Sequence, residues 1–198
     1  DIEKKGTCAL RGTDCQSSEG MKMTKQALLE PAGKLGFYRA AVVDTVAIPF
    51  EPSFRRFCEE NLCGKYGANY TCPPDCGTAE DMRQRVQAYR RALVLQSKWD
   101  INGMDESQVK PAKAAHNRWT RDLIDQAGGG LMVGASGCNL CETCLCVQGE
   151  PCRFPDLRFS CMSAYCIDVA KLARQCGMDY YSEGTVRLFS LYCFDNLQ

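Results

Sequence analysis

The sequence predicts an α/β fold: a single domain on a small, mostly parallel sheet with flanking helices and two cysteine-rich metal-cluster loops. Three observations carry that expectation. Apolar, β-branched runs alternate along the chain with stretches whose apolar residues recur at helical spacing, the pattern of strand–helix–strand units. The 198 residues, 45% of them hydrophobic, are enough for one core of ordinary composition. The fifteen cysteines fall mainly into two groups, each following an expected strand, where open α/β sheets usually carry their sites.

Taken in order, residues 1–20 are polar and read as an N-terminal extension carrying Cys8 and Cys15, with the metal-cluster-binding domain spanning 21–198. Met21 to Leu35 has helical composition interrupted by Pro31 and ended by Gly36. Phe37 to Val43 reads as the first strand. Thr78 is placed to cap a helix over Ala79 to Ala92, with Glu80 and Asp81 in its first turn. Met82, Val86, Tyr89 and Leu93 form the apolar stripe of that helix, and Arg83, Arg85, Arg90 and Arg91 fall mostly off it, as a solvated face. Val94 to Ser97 is the second expected strand. Pro111 to Gln126 is a helix with Ala115, Trp119 and Leu123 on one face; His116, the only histidine, sits beside that face and reads as partly exposed and chemically idle. Gly128, Gly129 and Gly130 end it without a nucleotide-binding glycine pattern or Walker lysine. Leu131 to Val133, a helix from Met162 to Gln175 and a strand from Val186 to Tyr192 complete the expectation.

The chemistry is concentrated in Gly137 to Asp168, GCNLCETCLCVQGEPCRFPDLRFSCMSAYCID, which holds seven of the fifteen cysteines. Cys138, Cys141 and Cys144 are each two residues apart, so three thiolates can converge on one face of an iron–sulfur cluster. Cys152 is the natural fourth ligand, and Cys146 the nearer rival. An earlier constellation, Cys58, Cys63, Cys72 and Cys76, is spaced four, eight and three residues apart; Gly64 and Gly67 permit tight turns, and Pro73 and Pro74 stiffen the exit from Cys72. Four sulfurs suit zinc or an iron–sulfur cluster equally, and spacing alone does not choose. Cys161 and Cys166 lie close in sequence to Cys152 and are divided between a metal role and burial, whereas Cys176 and Cys193 read as packed thiols. A disulfide framework fits poorly: the cysteine total is odd, two-residue spacings pair awkwardly, and the chain can build a core without staples.

Twenty-four basic and twenty-four acidic residues leave no net charge, so neither nucleic acid nor an anionic membrane is favoured as a partner. No apolar run approaches the ~18 residues of a membrane span, and the expected location of a thiolate-bound metal is the cytoplasm. No flavin or nicotinamide fingerprint is present.

The segments CGKYGANYTCPPDCGTAED, GCNLCETC and PCRFPDLRFSCMSAYCIDV, in that order, resemble a family of predicted metal-binding proteins of anaerobic bacteria and archaea, with similarity from about Leu35 to Phe194. The resemblance implies an oxygen-sensitive cytosolic protein with iron–sulfur clusters, without naming a reaction. Relatives tend to read SSMEAYG or PSMEAYG where this chain reads SCMSAYC, so Cys161 stands at a serine position, Cys166 at a glycine position and Ser163 at a glutamate position; Cys146 has no usual counterpart. These extra thiols raise the expectation of an additional or enlarged cluster near Cys138 to Cys166.

The leading functional expectation is two 4Fe–4S clusters serving low-potential electron transfer or reductive activation of a partner enzyme, with a redox partner protein implied. One alternative is an enzyme with an open iron site, in which Cys76 is the weak ligand and Tyr66, Arg153 or Asp168 handle protons or anions. Another is a zinc-stapled interaction module or a metal or cluster carrier. A homo-oligomer bridged through Cys8 or Cys15 is a further possibility at the level of sequence.

Overall fold

A computed structural model describes residues 25–195; the N-terminal extension with Cys8 and Cys15 lies outside the described residues. The fold is organised on a five-stranded sheet in the order β1-β2-β5-β3-β4. Its strands are β1 (Arg39–Asp44), β2 (Arg91–Trp99), β3 (Leu131–Gly134), β4 (Ser160–Cys161) and β5 (Val186–Phe194). β1 with β2, β2 with β5 and β5 with β3 are antiparallel, and only the short β3–β4 pair is parallel. The sheet is therefore mixed and mostly antiparallel, and the expectation of a mostly parallel sheet is corrected.

The reason is visible in the two faces. β2 is buried from Ala92 to Ser97, because helices cover both sides of the sheet. Its even and odd residues go to separate cores. Ala92 and Val94 join Val133, Leu191 and Cys193 on one face, against Met82, Val86, Leu172 and Ala173. Leu93 and Leu95 join Met132, Tyr192 and Phe194 on the other, against Ala32, Leu123 and Ile124. A strand buried on both faces reads as a continuous apolar run whichever way its neighbours point. Sequence alternation alone thus suggested βαβ crossovers, but β5 returns from the C-terminal end and inserts antiparallel between β2 and β3.

The helices are α1 (Lys25–Leu35), α2 (Arg55–Glu59), α3 (Ala79–Gln87), α4 (Glu106–Gln126) and α5 (Val169–Gln175). α1 runs through Pro31 and stops at Gly36, whose φ of +112° and contact with the Trp119 indole leave no room for a side chain. α3 opens on a reciprocal capping box between Thr78 and Asp81. It ends earlier than expected, since the apolar residues after Tyr89 are drawn into β2. α4 begins one turn before Pro111, with Asp105 as its cap. The expected helix from Met162 does not form until Val169; residues 162–166 instead make turns, with Cys166 at φ +55°. No helix among the described residues is long and apolar enough to cross a membrane.

His116 differs from its expected role as a partly exposed residue. It is fully buried between α4 and the sheet, with Nδ1 2.6 Å from Ser97 Oγ and Nε2 2.9 Å from Ser190 Oγ.

Candidate metal centres

Between α2 and α3, residues 60–78 contain neither helix nor strand, and residues 135–159 are regular only in one 3-10 turn at Leu145–Gln148. Backbone groups in such segments need partners from elsewhere, and here the two loops supply them to each other. Cys138 donates its N–H to Thr71 Oγ1 at 3.2 Å, and Asn69 Nδ2 donates to the Cys138 carbonyl at 3.1 Å. Thr71 is held for this by its own hydroxyl, which donates to Asn69 Oδ1 at 2.9 Å. Tyr70 adds a third tie, its hydroxyl donating to the Glu150 carbonyl at 2.7 Å.

The second loop wraps a small recess lined by the thiol residues Cys138, Cys141, Cys144 and Cys152, with Thr71 and Asn69 at its base and Leu140, Phe154 and Arg158 among its walls. All four cysteines are half-buried. Burial raises the pKa of the Cys138 thiol, against backbone donors at Leu140 and Phe159 that lower it. Cys146 does not line the recess; its thiol donates towards Asp75 Oδ2 at 3.7 Å and the Gly67 carbonyl at 3.8 Å.

The first loop gathers a larger group. Cys58 on α2, Cys63 just after it, Cys72 and Cys76 around the two prolines, and Cys161 and Cys166 from the far end of the chain belong to one neighbourhood. Burial pushes Cys58 up to about 11, and the nearby Cys161, Cys166 and Cys63 thiols push it further the same way. Cys72 is pushed up to about 12 by burial, then by Cys161, Cys63, Cys76 and Cys58. Cys161 and Cys166 thus stand with the Cys58 to Cys76 set and do not line the Cys138 recess. Arg55 is in the same neighbourhood: its Nη1 lies 3.5 Å from Cys76 Sγ, while Nε and Nη2 are buried without a hydrogen-bond partner among the described residues.

The two groups adjoin. A Cβ on Gly137 would lie 3.4 Å from Cys72 Sγ, so the first residue of one cysteine loop touches a thiol of the other set.

These donors fit an iron–sulfur group. The donor sets consist of thiols, the ligands of such clusters, and the unpartnered guanidinium donors of Arg55 call for an anion beside Cys76, which a thiolate-held cluster supplies. Among the described residues, no three His, Cys, Asp or Glu side chains converge as one metal ion would require. All thirteen described cysteines are free thiols.

Other sequence candidates are placed differently. Asp168 caps α5, accepting from the Lys171 N–H at 2.9 Å. Arg153 is exposed, and Tyr66 is exposed in the loop before Cys72. Cys193 is in the core and Cys176 packs against it, as expected of packed thiols. Sequence reasoning missed Arg55, Asn69, Thr71 and Arg158. Asn69 and Thr71 fall within the Asn69-Tyr70-Thr71 run before Cys72, and an Asx-type pairing just before a candidate ligand was the available signal; nothing in the sequence marks Arg55 or Arg158.

A family model described as Predicted metal-binding protein (DUF2284) matches residues 41–192. No curated protein and no solved structure matches the chain.

Proposed function

The chain belongs to this family of predicted metal-binding proteins, and from that premise we propose that it holds two iron–sulfur clusters and passes single electrons to a partner protein. The observation that carries the reading is the recess ringed by Cys138, Cys141, Cys144 and Cys152, with no three donors among the described residues converging for a lone ion. Thiolates spaced round a void suit a polynuclear group better than zinc, whose four sulfurs crowd one centre at about 2.3 Å. The second cluster belongs to the thiols gathered beside Arg55.

When bound, such clusters accept and release one electron at a time, at potentials set by hydrogen bonds, charge and burial. The chain's own part is to supply thiolates, to line one centre with the apolar side chains of Leu140 and Phe154, and to place a fixed positive charge at the other. Four protein thiolates on the recess leave no iron position for a substrate, which favours transfer over bond-making. Asp168 is engaged as a helix cap, so it does not support an open-site reading.

The surface supports a protein partner. Of twelve large hydrophobic side chains exposed among the described residues, seven (Phe57, Leu62, Tyr66, Leu140, Val147, Phe154 and Leu157) come from the two cysteine loops and their flanks. Exposed apolar groups concentrated around a site mark a docking surface, and zero net charge means that the approach is not steered by a strong overall field.

Anaerobic purification followed by iron, acid-labile sulfide and zinc analysis, with visible and EPR spectra before and after dithionite, tests the proposal. About eight irons per chain with reducible signals are expected for two cubanes, and Cys141→Ala should remove about half. Colourless protein carrying zinc would overturn it.

A further inference from the structure

The neighbourhood of Arg55 holds six thiols, two more than a cubane takes from a protein. They arrive in pairs on three segments: Cys58 and Cys63, Cys72 and Cys76, Cys161 and Cys166. Backbone pairing fixes how the third segment enters. Cys161 ends β4 in register with Gly134 of β3, and three residues beyond Gly134 the chain reaches Gly137, against Cys72 Sγ. Cys166 is tied to the other side of the site: Glu51 donates its N–H to the Cys166 carbonyl at 2.8 Å, Asp168 donates to the Pro49 carbonyl at 2.9 Å, and Phe50 bridges Ile167. That places Cys166 beside the start of α2, where Arg55 lies.

The six therefore divide. Cys76 is buried in the core with Ile48, Met82 and Val86. Its sulfur is engaged already, 3.5 Å from Arg55 Nη1 and 3.7 Å from the Gly77 carbonyl to which it donates. Cys166 is buried too, in a left-handed conformation that a non-glycine residue adopts at a cost. Cys161, by contrast, is half-buried at a strand end, and its sulfur faces backbone N–H groups of Ser163 and Ala164, donors that suit a metal-bound thiolate.

Resting on the iron–sulfur reading of this centre, we propose that Cys161 is its fourth protein ligand, with Cys58, Cys63 and Cys72, and that Cys76 stands outside the coordination sphere. Coordination takes the Cys161 thiol as thiolate and releases its proton to solvent; no electron is transferred in the step. Cys76 and Arg55 then form a hydrogen-bonded pair alongside the cluster, a positive charge held near its sulfurs.

The test compares Cys161→Ala with Cys76→Ala, each purified anaerobically and assayed for iron and sulfide per chain and for EPR signals after reduction. The Cys138 centre serves as the folding control, since its ligands are untouched in both. Cys161→Ala should lose about half of the iron and one of the two signals, and Cys76→Ala should keep both. Loss of iron in Cys76→Ala, alone or together with loss in Cys161→Ala, overturns the assignment, as does full iron in Cys161→Ala. If Cys161→Ala lacks even the control signal, alkylation of the wild-type protein decides: Cys161 should be modified only after a chelator strips the iron, and modification of the loaded protein overturns the proposal. Zinc in place of iron in the wild type would instead remove the reading on which the proposal rests.

Discussion

His116 shows how far a single buried group constrains its surroundings. Thr120 donates its hydroxyl to the His116 carbonyl and lies 2.8 Å from Ser190 Oγ, so Ser190 must donate to Thr120 and accept from His116 Nε2–H. Nδ1 is then an acceptor, taking the Ser97 hydroxyl proton, and Ser97 in turn accepts from Trp99 Nε1 at 2.7 Å. The chain of bonds closes only with a neutral ring, and burial pushes His116 down to about 3 from 6.5. Since the folded value lies below the unfolded one, the unfolded chain binds a proton that the folded chain refuses between those values. Stability from this residue is full above pH 6.5 and declines as pH falls towards 3. His116→Gln should cost about 1–3 kcal/mol at neutral pH, as expected for a broken buried network. In urea titrations the gap between wild type and variant should narrow below pH 6.5; a pH-independent gap would refute the neutral-ring account. The sequence hid this role, because Ser97 and Ser190 are separated from His116 by 19 and 74 positions and meet it only across the assembled sheet.

The strands and helices were legible where local pattern decides them. Thr78 and Asp81 box the start of α3 as their spacing suggests, and Gly36 ends α1. Strand direction was not legible, for a run such as Ala92 to Leu95, buried on both faces, satisfies parallel and antiparallel neighbours alike. Nor was β4: two residues long, it carries no periodicity to detect. The three glycines before β3 have a plainer purpose than phosphate binding. Gly130, at φ +141°, runs so close to β5 that a Cβ would lie 2.5 Å from both the Cys193 carbonyl oxygen and Tyr192 Cε2. Gly130→Ala should therefore destabilise by about 3 kcal/mol or more, measured by thermal or urea unfolding, whereas Gly129→Ala meets no neighbour within 4 Å and should be felt only through its positive φ.

Across the whole molecule, the sequence announced the Cys138 to Cys152 loop through its two-residue spacings, but it could not announce the company of Cys161 and Cys166. The thiols they stand beside lie about a hundred positions away, beyond the reach of local spacing. Contact between the two cysteine groups, through Thr71 with Cys138 and Cys72 with Gly137, predicts that the two proposed clusters, when reduced, sense each other's spin. The EPR spectrum of fully reduced protein should be broadened relative to the sum of spectra from Cys141→Ala and Cys161→Ala variants, each holding one cluster; a spectrum equal to that sum would place the centres too far apart for coupling. The irregular stretch from Glu60 to Thr78 has one more consequence. Residues 61–67 are all exposed and lack helix or strand, so in chain stripped of the proposed metal they should open readily. Lys65 lies within them, so trypsin should cut after Lys65 in the stripped protein and leave that bond intact in the loaded one. On the proposed reading, holding this stretch closed against proteases is a service of the metal separate from electron transfer, and the lifetime of the chain becomes a readout of whether it has been filled.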